Sequence, residues 1–416
     1  MLKFLHAADV HLDSPLRGLE RYEGAPVDAL RNATRRALEN LVNLALDESV
    51  RLVLIAGDLY DGDWRDYNTG LFFAKQMGRL REAEIPVLLV AGNHDAQSRM
   101  TRSLRMPDNV VWFAVDAPET KTLDSLGVAV HGQGYARPAI SEDLSAQFPR
   151  PRSGVLNIGL LHTALAGHPG HEPYAPCQLD ALRAKGYDYW ALGHVHAREV
   201  VCADPWIGFP GNIQGRHIRE TGPKGAYVVA RSETGHLTAE FRALDVVRWH
   251  DCRVAAEAGT DAADMLGAVE AAFGKVLAES AGLPSAVRVT VAGAVGRVAA
   301  HVERLAQDIR ALANDYGQDR LWVEKVRLEA DTLTPIRDIP EGPIRELMDV
   351  LDELEANPEG LAALGTTLTA LDAKLPAALK HGPEAVSLTG PDAVGRLLRE
   401  VRPLLLGRLL GKDEGP

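Results

Sequence analysis

Residues 3–11 of the chain read KFLHAADVH, a short apolar run that leads into Asp9 and His11. A run of this length, closed by polar residues, is typical of a buried β-strand. In a locally extended chain, residues two apart point to the same side, so we expect Asp9 and His11 to present their side chains together. The stretch therefore predicts a strand with ligand-binding residues at its C-terminal end.

The same arrangement recurs through the first half of the chain. The further runs are 52–56, 87–91, 155–161 and 187–192, and the clusters that follow them are GDLYD (57–61), GNHD (92–95), His162 and GHVH (193–196). Helical patterns lie between the runs, as at 27–48 and 69–84. This alternation predicts an α/β domain with helices outside its sheets. Because binding loops gather at strand ends in such folds, we expect the clusters to form one site.

The clusters together contain seven candidate metal ligands: Asp9, His11, Asp58, Asn93, His162, His194 and His196. Carboxylate, amide and imidazole groups without a thiolate favour Mn²⁺, Fe²⁺ or Zn²⁺ over a pure Mg²⁺ or Ca²⁺ site. Seven ligands exceed the coordination of one ion, so we predict two ions with the Asp58 carboxylate as their bridge. Two ions ~3.5 to 4 Å apart are suited to phosphoester hydrolysis.

The composition is that of an ordinary globular protein: 416 residues, 46% hydrophobic and 25% charged. Its three cysteines are too few and too scattered for a disulfide framework or a zinc site built on cysteine. The N-terminal residues include acids and histidines where a signal peptide needs an apolar run, and no segment has ~18 uninterrupted apolar residues. We therefore expect a soluble cytoplasmic protein without a membrane segment.

The net charge of −12 opposes nucleic-acid binding only when the chain is taken as a whole. Residues 1–250 contain 27 basic and 30 acidic residues, a balance of −3, so the other −9 lies in the last 166 residues. Two divalent ions would bring the first part to about +1. The acidity describes the C-terminal part, where a protein partner is the better expectation.

We expect three parts along the chain. The small-residue stretch 255–264 predicts a boundary that separates a catalytic domain (1–252) from a compact α+β module (253–335). The remainder (336–416) has mostly amphipathic helical patterns with breaks such as Asn357-Pro358. The apolar segment VRPLLLGRLL (401–410) leaves two alternatives, packing within its own domain or contact with a partner.

The ordered motifs Asp-x-His, GD-x-x-D, GNHD, His and GH-x-H resemble those of the calcineurin-like metallophosphoesterase superfamily. Two longer strings, HAADVHLDSPLRGL (6–19) and PWIGFPGNIQGRHIRETGPKG (205–225), resemble the SbcD-type DNA repair exonucleases and, within them, the YhaO group. The resemblance covers roughly the first 250 residues. It implies a four-layer α-β-β-α sandwich with a small α+β capping domain and a C-terminal helical region.

The family pattern also implies roles for single residues. One ion would be held by Asp9, His11, Asp58 and His196, and the other by Asp58, Asn93, His162 and His194. His94 would be catalytic, facing the scissile phosphate to stabilise the transition state or to protonate the leaving oxygen. Asp95 follows it directly, and we expect its carboxylate to orient the imidazole. Asp61 is expected to be a hydrogen-bonding loop residue rather than a ligand.

A basic loop follows the last metal motif, with Arg216, His217 and Arg219 within a few residues of one another. It is either a solvated loop or a surface that contacts substrate phosphates. On the second alternative, these three residues bind the substrate.

The resemblance implies a Mn²⁺-dependent DNA nuclease, a 3′ to 5′ exonuclease with some endonuclease activity, acting in DNA repair. It further implies an SMC-like coiled-coil ATPase of the SbcC or YhaN type as partner, and dimerisation through N-terminal helices. Two alternatives stay open: a phosphodiesterase or phosphatase for small phosphoesters, and a scaffolding subunit of an ATPase complex.

Overall fold

The computed structural model describes residues 2–14, 32–61, 67–97, 105–165, 175–257, 260–293, 302–318, 320–330, 342–375 and 388–410. The chain divides into two compact units. The first is Met1–His250 with Leu283–Ala286, and the second is Asp251–Gly282 with Val287–Pro416. No helix within the described ranges combines the length and the apolar character needed to cross a membrane.

The first unit contains two six-stranded sheets. Its strands are β1 (Leu2–Ala7), β2 (Val53–Ala56), β3 (Val87–Val90), β4 (Val110–Trp112), β5 (Glu119–Leu123), β6 (Val128–Gln133), β7 (Leu156–His162), β8 (Tyr189–Gly193), β9 (Glu199–Ala203), β10 (Trp206–Phe209), β11 (Gly225–Arg231) and β12 (Leu237–Ala243). The strand orders are β12-β11-β1-β2-β3-β4 and β5-β6-β7-β8-β10-β9. The central strands of each sheet are parallel, from β1 to β4 in one and through β6, β7, β8 and β10 in the other.

The parallel strands are rich in apolar residues because both of their faces are buried. Successive residues of β1 alternate: Phe4 packs between the two sheets, and Leu5 packs on the opposite face. In β2, Leu54 lies between the sheets and Ile55 on the opposite face. Because successive side chains of a strand point to opposite faces, an apolar strand such as β2 contributes to the core on both sides of its sheet.

Helices cover the outer faces of both sheets. α1 (Ala33–Asp47) and α2 (Tyr67–Glu82) cover the first sheet, and α3 (Leu179–Ala184) covers part of the second. The buried side of α1 carries Leu38, Leu41, Val42 and Ala45, the spacing of an amphipathic helix. The resulting order, helix, sheet, sheet, helix, confirms the predicted four-layer sandwich.

The second unit contains a three-stranded sheet and several helices. The sheet is β13 (Arg248–Ala256), β14 (Ser285–Gly293) and β15 (Leu321–Ala330), and the described helices are α4 (Ala262–Glu279), α5 (Val302–Gly317), α6 (Pro343–Ala356), α7 (Pro358–Lys374) and α8 (Pro391–Leu410). Phe273 and Ile309, from α4 and α5, pack with Val289 of the sheet. Asn357 ends α6 and caps α7, accepting the backbone N–H groups of Glu359 and Gly360.

The described part of residues 253–335, predicted to be a compact α+β module, has the order helix, strand, helix, strand from α4 to β15. The boundary predicted at 335 lies outside the described residues, so the division into a cap and a separate helical region stays a prediction. In the apolar terminal segment, Leu405 packs in a cluster with Met348, while Val401 is exposed. Part of this segment therefore packs within its own unit.

Candidate metal centre

All seven predicted ligands lie at the C-terminal ends of parallel strands. Asp9 and His11 follow β1, Asp58 follows β2, Asn93 follows β3, His162 ends β7, and His194 and His196 follow β8. The first three strands belong to one sheet and the last two to the other. The site therefore lies where the ends of both sheets meet, which explains why residues so distant in sequence come together.

The loops that carry the ligands have an unusual backbone. The φ values are positive at four ligand positions: 50° at Asp9, 44° at His11, 50° at Asp58 and 105° at His194. Residues other than glycine rarely adopt this backbone conformation. The extended conformation expected for Asp9 and His11 is therefore wrong. The turn is held by neighbouring backbone, since the N–H groups of Asp9 and His11 donate to the carbonyls of Gly57 and Asp58. Strain of this kind persists only where the surrounding fold enforces it, and it is typical of functional sites.

Two glycines allow the loops to approach. Gly57 has a φ of 89°, and a side chain there would also overlap the His162 ring. At Gly193, a Cβ would overlap the carbonyl oxygen of Ala56, so the end of β8 meets the end of β2 without any side chain between them. Glycine at these positions brings the two sheets close enough to share one site.

One group of ligands is formed by Asp9, His11 and His196, which each offer an atom within 4.8 Å of the others. His11 Nε2 and His196 Nε2 are 3.1 Å apart. His196 Nδ1 lies 2.7 Å from a carboxylate oxygen of Glu220, which can only accept, so Nδ1 carries the proton and Nε2 has a free lone pair. An imidazole oriented in this way is prepared to bind a cation.

A second group contains His162 and Asn93. His162 Nδ1 donates to the carbonyl oxygen of Ala56 at 2.9 Å, which leaves Nε2 as an acceptor 3.0 Å from Asn93 Oδ1. The His194 ring lies 5.2 Å from the His162 ring, centroid to centroid, and its backbone N–H donates to Asp9. His162 Nε2 and Asn93 Oδ1 are both acceptors, and at 3.0 Å they repel each other unless a cation lies between them.

Asp58 lies between the two groups. Its Oδ2 atom is 3.5 Å from His162 Nε2 and 3.9 Å from His11 Nε2. Its Oδ1 atom accepts the backbone N–H of His94 at 3.0 Å, which fixes the orientation of the carboxylate. One oxygen of Asp58 therefore faces an imidazole of each group, so this carboxylate would be the residue to hold both ions.

Burial controls the protonation of these side chains. It lowers the pKa of His162 to about 3 and also lowers those of His11 and His196, so all three imidazoles are neutral at pH 7. Burial also raises the pKa of Asp9 and of Asp58, and the Asp58 charge raises that of Asp9 further. Neutral imidazoles around two crowded carboxylates form a donor set that fits divalent cations.

Comparison with known proteins agrees with this geometry. Residues 2–198 match the family described as calcineurin-like phosphoesterase, and residues 249–331 match the middle domain of metallophosphoesterase YhaO. The chain is 33% identical over 373 residues to the metallophosphoesterase YhaO of Bacillus subtilis (strain 168), covering 86% of this chain and 91% of that protein. The chain belongs to the calcineurin-like phosphoesterases, in the YhaO group.

This phosphoesterase is also similar to more distant proteins. The DNA double-strand break repair protein Mre11 of Sulfurisphaera tokodaii is 27% identical over 210 residues, which is 49% of this chain and 51% of that protein. A crystal structure of a dimetal phosphatase from Danio rerio matches with 14% identity and a TM-score of 0.37, covering 58% of this chain and 96% of that one.

In this phosphoesterase, His94 pairs with Asp61 and not with its neighbour in sequence. Asp61 Oδ1 lies 2.9 Å from His94 Nδ1, and Asp61 Oδ2 accepts a hydrogen bond from Ser14. Burial alone would lower the pKa of His94, but the hydrogen bond to Asp61 and the charges of Asp58 and Asp61 raise it above its usual 6.5. The His94 side chain is 37% exposed, compared with 23% for His196 and at most 2% for His11, His162 and Asp58.

The expectation that Asp95 orients His94 is wrong. Both oxygens of the buried Asp95 carboxylate are occupied by backbone N–H groups, one from Tyr60 and the other from Leu59 and Gly92. Asp95 therefore ties the loop after β2 to the loop after β3, and these loops carry Asp58 and Asn93. In this structure Asp95 supports the two loops that carry the site.

Replacing Asp95 by asparagine should destabilise the protein and weaken metal binding together. An amide has only one acceptor oxygen, so its NH₂ group would face a backbone N–H, and an unsatisfied buried donor costs about 1–3 kcal/mol. Thermal unfolding in chelator measures the stability, and a separate titration of the folded protein with Mn²⁺ measures the metal affinity. An Asp180→Asn variant is the matched control, because that side chain is 93% exposed. Unchanged stability would contradict the assigned role.

The basic loop differs from expectation at Arg216. Its side chain is 12% exposed, and its guanidinium pairs with Glu220 at 2.9 Å. In this structure the guanidinium therefore faces Glu220 and not an open substrate surface. The His217 side chain is 43% exposed, and Arg219 is exposed too, so substrate contact by these two residues stays a prediction. Glu220 was not among the predicted site residues, because nothing in a basic loop marks one acidic residue as buried.

Proposed function

We propose that this phosphoesterase hydrolyses phosphodiester bonds of DNA with two divalent ions, Mn²⁺ foremost, as a 3′ to 5′ exonuclease with some endonuclease activity in DNA repair. The observation that carries the proposal is the position of Asp58 Oδ2 between an imidazole of each ligand group. Two divalent ions held by these residues would polarise a phosphoryl group and activate water.

The protein's own residues supply the remaining chemistry. His94 has Nδ1 engaged by Asp61, which leaves Nε2 to donate a proton to the leaving oxygen or to stabilise charge on the phosphoryl group. One atom each of His94, His11 and Asp58 lie within 4.8 Å of one another, so His94 borders the ligand cluster. The Asp61 carboxylate keeps the imidazole in one orientation and one tautomer.

Two observations favour DNA over a small phosphoester. The relative Mre11 is named for DNA double-strand break repair and is similar over about half of this chain. The part of the chain that holds the site has a balance of −3, which two divalent ions reverse. The mixed oxygen and nitrogen donor set favours Mn²⁺ over Mg²⁺.

The test compares DNA with a small ester under the same conditions. The purified protein is incubated with single- and double-stranded DNA labelled at either end, and separately with bis(p-nitrophenyl) phosphate, in Mn²⁺, Mg²⁺ or chelator. We expect Mn²⁺-dependent release of nucleotides from the 3′ end. Turnover of the small ester with DNA untouched would instead favour a small-molecule phosphodiesterase, and no hydrolysis of either substrate would contradict the proposal.

The proposal also includes partners and a location that rest on the resemblance alone. These are an SMC-like ATPase of the SbcC or YhaN type, a second copy of the chain, and the cytoplasm. Light scattering of the purified protein measures the dimer, and co-purification with the ATPase measures the complex. We expect a dimer at micromolar concentration and a stable complex.

A further inference from the structure

A buried ion pair, Glu220 with Arg216, lies directly beside the ligand His196. Glu220 is 4% exposed, and both of its oxygens are occupied. Oε1 accepts from His196 Nδ1 at 2.7 Å and from Arg216 Nη2 at 2.9 Å. Oε2 accepts from Asn212 Nδ2 at 2.9 Å and from the backbone N–H of Arg216 at 2.7 Å. So many donors around one carboxylate fix its position.

These contacts decide the tautomer of His196. Arg216 Nη2 is 3.2 Å from His196 Nδ1, but an arginine nitrogen cannot accept a hydrogen bond. The Nδ1 proton must therefore point to Glu220, and the lone pair is on Nε2, which faces His11. Without the Glu220 carboxylate, the neighbouring guanidinium would favour a lone pair on Nδ1 and would place the proton on the ligand atom.

The same guanidinium extends toward the catalytic histidine. Arg216 Nη1 is 3.4 Å from the Ser14 hydroxyl and 4.0 Å from Asp61 Oδ2. Ser14 donates to that oxygen of Asp61, and the other oxygen of Asp61 holds His94. A continuous set of contacts thus joins His196, Glu220, Arg216, Asp61 and His94.

We propose that Glu220 and Arg216 are positioning residues for the metal centre. Glu220 holds His196 in the tautomer that binds an ion, and Arg216 fixes Glu220 and links it to the Asp61 that orients His94. The guanidinium is thereby committed to the wall of the site and is not a ligand for substrate phosphate. This inference rests on the two-ion site of the proposed function but not on DNA as its substrate.

The test is a calorimetric titration of the full-length protein with Mn²⁺ alone, without substrate. In Glu220→Gln, the amide can still accept from His196, but its NH₂ group meets the donors of Asn212 and Arg216. We expect one of two Mn²⁺ sites to weaken by about 10- to 100-fold, as for other residues that orient a metal-bound histidine, while the second site changes far less. Glu48→Gln is the matched control, because Glu48 also binds two cations, Lys3 and Arg242, in the same unit.

Arg216→Lys provides a second variant should Glu220→Gln fail to fold, because lysine keeps the charge but cannot reach both Glu220 and Ser14. The same Mn²⁺ site should weaken, and in the double variant the two losses should not add, since Arg216 acts through Glu220. The other role, contact of Arg216 with a substrate phosphate, is tested by measuring DNA binding in Ca²⁺ over a series of salt concentrations. If Arg216 contacts a phosphate, Arg216→Gln, which removes the charge that Arg216→Lys keeps, would lower the salt slope by about 1 without altering Mn²⁺ affinity.

Each outcome distinguishes the inference from the proposed function. Two tight Mn²⁺ sites that stay unchanged in Glu220→Gln and Arg216→Lys would overturn the positioning role and leave the proposed function intact. Equal weakening of both sites, together with a loss of thermal stability in chelator, would show a merely structural role and overturn it too. A wild-type protein that binds no Mn²⁺ would overturn both proposals.

Discussion

Replacing Asp58 by asparagine should reduce metal-dependent hydrolysis to the background of the assay. Asp58 offers one oxygen to both ligand groups, 3.5 Å from His162 Nε2 and 3.9 Å from His11 Nε2. An asparagine carbonyl can still accept the His94 N–H, but the second atom becomes an NH₂ donor and the negative charge is lost. Losing the shared ligand of two ions removes several kcal/mol of transition-state stabilisation, a fall in rate of at least about 10³-fold.

The same substitution should not harm the metal-free fold. Burial raises the pKa of Asp58 and its charge raises that of Asp9, so the two carboxylates oppose each other when no cation is present. Thermal unfolding in chelator should therefore show Asp58→Asn to be at least as stable as the wild-type protein. Residues of a functional site commonly reduce the stability of the fold that carries them. Asp180→Asn is the control for the change of acid to amide. Hydrolysis within tenfold of the wild-type rate would contradict the bridging role.

The positions of the ligands could be predicted from the sequence because they depend on a local rule. A short apolar run ends, and a polar cluster follows at the edge of the sheet. β2 and β3 obey this rule, and so Asp58 and Asn93 were found without knowing which strands are neighbours. The alternation of strand and helix patterns also predicted helices outside the sheets, whereas the four-layer order was implied by the family resemblance.

The sequence could not predict which side chains orient His94 and the predicted ligand His196. Asp95 is next to His94 in the chain and was expected to be its partner, but the loop turns Asp95 toward the backbone of the neighbouring loop. The partner of His94 is instead Asp61, which lies in the loop after β2. Glu220 is 24 residues from His196 and is held by contacts that exist only in the folded chain. Such partners are set by tertiary packing, for which spacing in the sequence carries no signal.

Replacing His94 by glutamine should lower the rate of DNA hydrolysis by about 10²- to 10⁴-fold while both Mn²⁺ sites keep their affinity. His94 is not among the predicted ligands, and Asp61 Oδ1 holds its Nδ1 atom at 2.9 Å. Glutamine has a similar length and can donate a hydrogen bond, but it cannot transfer a proton at neutral pH. The rate and the Mn²⁺ affinity are measured on the same preparation. His236→Gln is the control, because His236 is exposed in the turn between β11 and β12, at the end of the sheet opposite the site.

The leaving group distinguishes the two roles that His94 can have. If His94 protonates the leaving oxygen, hydrolysis of bis(p-nitrophenyl) phosphate, whose leaving group is stable as an anion, should lose much less rate than hydrolysis of DNA. If His94 instead stabilises charge on the phosphoryl group, the two substrates should lose rate equally. Asp61→Asn should give the same pattern with a smaller loss, because it removes the orientation of the imidazole but not the imidazole itself. A His94→Gln protein with nearly wild-type rates on both substrates would contradict any catalytic role for this residue.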